Sequence, residues 1–171
     1  MDKTTLTQIE RLTALLDQCV ERQGQLLSLL KRKRDAMRRG EDAAMADLTR
    51  AENAVVQAVS ELEKSRLRLI AELTQRLAPT ADEPLRMREL AERLPEPWRG
   101  RVLLKRQKLV EAITAVRDET SVVRRAGESL VGHVNGLIRT IGVAARGGAA
   151  YGQSGRLSQE PARMGRLDIA A

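Results

Sequence analysis

This sequence predicts an all-α fold: a long antiparallel helical hairpin, a short corner helix and a third long helix, arranged as a coiled-coil-like bundle. Three observations predict it. The 171-residue chain contains no Phe, one Trp and one Tyr, which leaves little with which to fill a thick globular core. Its apolar residues are Leu, Val, Ile, Ala and Met, interleaved with charged residues that make up 31% of the chain, the composition of long helices. These apolar residues recur in alternating steps of three and four, the period of a helix with one buried seam. Clusters of β-branched and aromatic residues bounded by turn residues, the mark of strands, are missing.

The first helix is expected over about residues 5–39, roughly 50 Å long. Its seam runs Ile9, Leu12, Leu16, Cys19, a polar Gln23, Leu26, Leu30, a polar Lys33 and Met37. Leu6, Leu15, Val20, Leu27 and Leu29 widen the stripe, so this helix touches more than one neighbour. A basic last turn suits the negative end of the helix dipole, and Gly40 stops the helix. Glu41 and Asp42 then open a second helix, 42–78, and so short a connection forces an antiparallel hairpin. Its seam runs Met45, Leu48, Glu52, Val55, Val59, Leu62, Arg66, Leu69 and Leu73.

Four of the five prolines fall between Pro79 and Pro97, where the chain must turn. Within this segment a corner helix is expected over 83–94, capped by Asp82, with Pro84 in its first turn and Pro95 as its stop. The third helix, 97–145, carries the longest seam: Val102, Arg106, Leu109, Ile113, Val116, Thr120, Val123, Gly127, Leu130, Val134, Leu137 and Ile141. In its second half Gly127, Gly132, Gly136 and Gly142 each cost about 1 kcal/mol of helix propensity relative to Ala. Residues 1–146 therefore read as a single helical bundle, and the Gly- and Arg-rich segment 147–171 as a flexible tail.

The same residues argue against catalysis. The single His133 has no Cys, Asp or Glu at ligand spacing, and no phosphate-binding loop or nucleophile elbow is present. The chain is read as a non-enzyme without metal or cofactor. The first twenty residues include Asp2, Glu10 and Asp17 and no unbroken apolar stretch, so neither a secretory signal nor a membrane span is expected there, and the protein is placed in the cytoplasm. Cys19 lies on the seam and reads as a small buried hydrophobe.

The net charge of +7 admits an acidic protein, an acidic membrane surface or nucleic acid as partner. The basic runs Lys31 to Arg39 and Arg99 to Lys108 come without a zinc motif, a recognition-helix pattern or stacking aromatics, which disfavours nucleic acid. Gly127, Gly132 and Gly136 suggest a shallow groove beside Leu130, Val134, Leu137 and Ile141, where an amphipathic partner helix could lie. Packing of these residues on the first two helices is the alternative. The heptad seams can be satisfied within one chain or between two, so a homodimer is open.

Several pieces occur in an order that resembles the FlgN family of flagellar export chaperones. They are the long first helix with its basic end, Gly40 to Asp42, the stretch from Leu48 to Arg66, the proline-broken segment holding Glu89-Leu90-Ala91, Ser129-Leu130 in the last helix, and Tyr151-Gly152 with Gly155-Arg156 after it. The resemblance covers about residues 6–156 and departs from the family pattern around Arg32 and Lys33 and at Val122, Arg125 and Ala126. It implies a cytoplasmic chaperone for the hook-filament junction, or hook-associated, proteins. Members hold the amphipathic C-terminal segment of such a substrate and deliver it to the export gate or the export ATPase complex of the type III apparatus. On this reading Val123, Leu130, Val134, Leu137 and Ile141 hold the substrate helix, and Tyr151 touches export machinery or substrate, or else folds back on the bundle. The competing readings are a structural coiled-coil component of the export machinery, such as an ATPase stalk, which the proline segment argues against, and a basic helical nucleic-acid binder.

Overall fold

The structure is a computed structural model that describes the backbone of residues 2–148 and the side chains of residues 2–142. It holds four helices in the described residues and no strand: α1 (Lys3–Arg39), α2 (Asp42–Leu77), α3 (Met87–Glu92) and α4 (Trp98–Gly148). Packing divides the chain after Gly127 into two units.

Helix α1 starts two residues earlier than the seam suggested because Asp2 caps it. The Asp2 carboxylate accepts a hydrogen bond from the Thr5 backbone N–H at 3.0 Å, filling one of the donors that every helix start leaves open. Hydrogen bonding from Thr5 first, and the positive charge of Arg76 more weakly, hold the Asp2 carboxyl below its ordinary pKa. A depressed folded-state pKa means that the cap contributes above the unfolded value and is lost as pH falls through the folded one. The Thr5 amide resonance is accordingly expected to titrate with an inflection below the ordinary aspartate range, and an inflection at or above that range would contradict the cap.

At its other end α1 closes on Gly40, whose φ of 67° is the left-handed conformation that glycine adopts without strain. The Gly40 N–H donates to the Met37 carbonyl at 3.3 Å and the Glu41 N–H to the Ala36 carbonyl at 3.1 Å, the paired bonds of a Schellman motif. The chain then reverses into α2. Asp2 reaches Arg76, Gln8 reaches Glu72 and Lys33 reaches Glu52, so numbers rise on one helix as they fall on the other, and the hairpin is antiparallel.

The corner differs from its sequence reading. Helix α3 spans only Met87–Glu92 and begins at Arg86, not at Asp82. Pro84 disfavours helical backbone in the residue before it, and the Thr74 hydroxyl holds the following segment in place by accepting the Leu85 N–H at 3.0 Å while donating to the Ile70 carbonyl at 2.8 Å. The helix starts where Glu89 can reach back to accept the Arg86 N–H at 3.0 Å, one arm of a capping box.

Within the first unit, residues 98–127 of α4 run parallel to α1. Lys105 pairs with Asp17, and Arg34 pairs with Glu119, so both numbers rise together. The main core joins Ile9, Leu12 and Leu16 of α1 to Leu73 of α2, Leu90 of α3 and Val102 of α4, all wholly buried. A smaller second core is built on Leu26, Leu30 and Val123.

Three of the polar interruptions of the seams have structural partners. Lys33 and Glu52, one polar position from each of the first two seams, meet each other at 2.7 Å. Arg66 turns back to Glu63, its Nε 2.7 Å from a carboxylate oxygen, and both charges act on the neighbouring Cys19. Burial, the larger effect, and the Glu63 charge raise the Cys19 pKa, which keeps this buried thiol protonated and inert.

Candidate functional site: an uncovered stripe on the last helix

Long seams bury their apolar residues wherever a neighbouring helix lies against them, and in α4 this changes along the helix. Val102, Leu109 and Val123 are buried. Beyond Gly127 the steps of three and four continue through Leu130, Val134, Leu137 and Ile141, yet these side chains are 44 to 67% exposed. Exposure of a few scattered apolar residues is ordinary. A contiguous row on one helix face is different and makes a candidate interaction surface.

The structure adds two members to the row. Val131 and Ile138 are 60% and 61% exposed, and each follows a seam residue by one position. At about 100° per residue they lie on the flank of the same face. Strict counting in threes and fours skips them, although the doubled apolar pairs Leu130-Val131 and Leu137-Ile138 show in the sequence. The six residues together form an apolar face about three turns long.

Val123 does not belong to this face. It sits in the second core against Leu26 and Leu30 of α1, so its side chain stabilises the bundle and is not available to a partner in this arrangement. The glycines also fall elsewhere than the groove reading placed them. Gly127 is in the first unit, where a Cβ would stand 3.4 Å from Cε of Met37, an ordinary contact. Gly132 and Gly136 have open space beside them, and by the helical period they lie on the side of α4 opposite the stripe. They weaken the helix without shaping a groove. Tyr151 lies outside the described residues.

Other exposed apolar side chains among the described residues are Val56 and Leu67 on α2 and Leu104, Val110 and Ile113 on the first-unit part of α4. His133 is exposed, and among the described residues no group of three His, Cys, Asp or Glu side chains could hold a metal ion. No helix among the described residues is long and apolar enough to cross a membrane.

Five of the eleven cations in the two basic runs are engaged in the fold. In the first, Lys33 pairs with Glu52, Arg34 with Glu119 and Arg39 with Glu41. In the second, Arg101 stacks over the Trp98 ring at 5.1 Å and Lys105 pairs with Asp17. Charges tied up in this way present less of the open cationic track that phosphate backbones require.

No curated protein and no solved structure matches the chain. The family model described as "FlgN protein" matches it over residues 1–159. That span takes in all four helices and the uncovered stripe, so the chain belongs to the FlgN family and is a flagellar export chaperone.

Proposed function

We propose that this chaperone works in the cytoplasm, holds the amphipathic C-terminal segments of flagellar hook-filament junction proteins on the Leu130 to Ile141 stripe, and delivers them to the type III export apparatus. One observation carries the reading. The seam of α4 continues beyond the buried positions into side chains that are 44 to 67% exposed. An amphipathic helix laid along them supplies the missing apolar surface. Val131 and Ile138 widen the contact beyond Leu130, Val134, Leu137 and Ile141. Tyr151, just beyond this stretch in sequence, is the proposed contact for export gate or export ATPase components, because Tyr pairs an apolar ring with a polar tip suited to interfaces.

The chemistry fits a holding role better than a permanent complex. A short stripe on a glycine-weakened helix must order itself and its disordered client together, and that entropy is subtracted from the affinity. Release at the export apparatus then stays accessible.

Co-purification with C-terminal fragments of hook-filament junction proteins tests the proposal. Leu137→Glu together with Ile141→Glu is expected to reduce capture at least tenfold, because each substitution places a charge in the apolar contact. Thermal unfolding should hardly change, because both side chains are exposed. Deleting residues 127–156 should abolish capture while the α1–α2 hairpin stays helical. Capture that survives this deletion would place the site elsewhere, and failure to retain any junction-protein fragment would refute the client assignment. Capture should also change little with salt, whereas nucleic-acid binding falls steeply.

A further inference from the structure

The stripe on α4 is self-complementary, and we infer that in the absence of a client it is covered by the same stripe of a second copy, the two helices lying antiparallel. Leu130, Val134, Leu137 and Ile141 follow steps of four, three and four, which read the same in both directions. About a two-fold axis level with the boundary between Asn135 and Gly136, Leu130 meets the partner's Ile141 and Val134 meets the partner's Leu137. This is the isologous arrangement that closed dimers require.

The flanking positions select the direction. On one flank of the seam stand Val131 and Ile138, both apolar and both exposed. On the other stand His133 and Thr140, also exposed, and the Thr140 hydroxyl is already bonded to the Gly136 carbonyl at 3.0 Å. In a parallel pair each flank faces the opposite flank of its neighbour, so Ile138 would meet a histidine. In an antiparallel pair like faces like. Val131 and Ile138 then close one side of the contact with apolar surface, and His133 and Thr140 edge the other side towards water.

Area sets the strength. A stable, specific interface buries about 800 Å² on each partner, and a stripe three turns long on a single helix offers only part of that. The dimer is therefore weak and in rapid exchange. That suits a cover which a better-fitting helix displaces, and this last step rests on the client-binding role proposed above for the same face.

Sedimentation velocity of the full chain alone, over a concentration series, tests the dimer independently of any client. The expected result is a monomer–dimer equilibrium that Leu137→Glu shifts wholly to monomer. A native chain that stays monomeric throughout, or a dimer that persists with Leu137→Glu, would overturn the inference. Direction is tested by disulfide trapping between a tagged Val134→Cys chain and an untagged Leu137→Cys chain, since Cys19 is buried and does not compete. The mixed pair is expected to link faster than either variant with itself, and faster self-linking would overturn the antiparallel arrangement. A junction-protein fragment should then dissolve the native dimer into one-to-one complexes. If fragments fail to bind while the dimer behaves as described, the client assignment falls and the dimer stands. If fragments bind one-to-one to a chain that was monomeric from the start, the reverse holds.

Discussion

Leu90→Ala is expected to destabilise the protein by about 2–5 kcal/mol, the range for removing a wholly buried leucine. Leu90 is 0% exposed and is held by a helix of six residues. So short a helix has no stability of its own and stays formed only through its packing. The truncation therefore opens a cavity in the main core and loosens the element that closes the corner between α2 and α4. Urea unfolding followed by circular dichroism measures the effect. Leu137→Ala, at a position half exposed, should fall within about 0.5 kcal/mol of the native protein. A comparable loss at the two positions would mean that the stripe is part of the core.

Arg34→Met is also expected to destabilise the protein. Arg34 Nη1 lies 2.7 Å from an oxygen of Glu119, and the Glu119 side chain is only 10% exposed. Removing the cation leaves a carboxylate in a nearly dry site between α1 and α4. Losing one member of a buried pair costs about 3–5 kcal/mol. The Arg34 side chain keeps 26% of its surface in water, which reduces the expected loss to about 2–3 kcal/mol. Adding Glu119→Leu to Arg34→Met should recover most of it, because two apolar side chains then fill the same space without an unpaired charge. A double variant no more stable than Arg34→Met would show that the pair is not what holds the two helices at this level.

These contrasts follow from what a seam does and does not encode. The period of three and four reports which face of a helix is apolar, and that is enough to place the long helices and their hairpin. Gly40 was equally legible, because a left-handed stop after a basic turn has few other solutions. The period is silent about which neighbour covers a face. Val123 and Leu130 occupy successive equivalent places on the same seam, yet one is buried against Leu26 and Leu30 and the other is open. Ile113, also on the seam, remains 45% exposed. Only the arrangement of helices separates such positions.

Two other differences arise from reading residue types without their angular position. Gly132 and Gly136 stand near the stripe in sequence, although the helix turns them to its opposite side. Val131 and Ile138 stand beside the seam in a count of threes and fours, although the helix turns them towards it. In the corner, Asp82 and Pro84 make a good helix start on paper, but the Thr74 hydroxyl engages Leu85 and delays the helix to Met87. That bond joins residues eleven apart through a side chain, and no local rule anticipates it.

In the proposed function partners are taken up on residues 128–142 and the α1–α2 hairpin serves as scaffold. Hydrogen exchange of the full chain, with and without a bound junction-protein C-terminal fragment, tests it most directly. Protection is expected to rise over 128–142, where an apolar face becomes covered and a glycine-weakened helix is held, and to stay as it was over 3–77. Protection gained along α1 and α2 with 128–142 unchanged would contradict the proposed function.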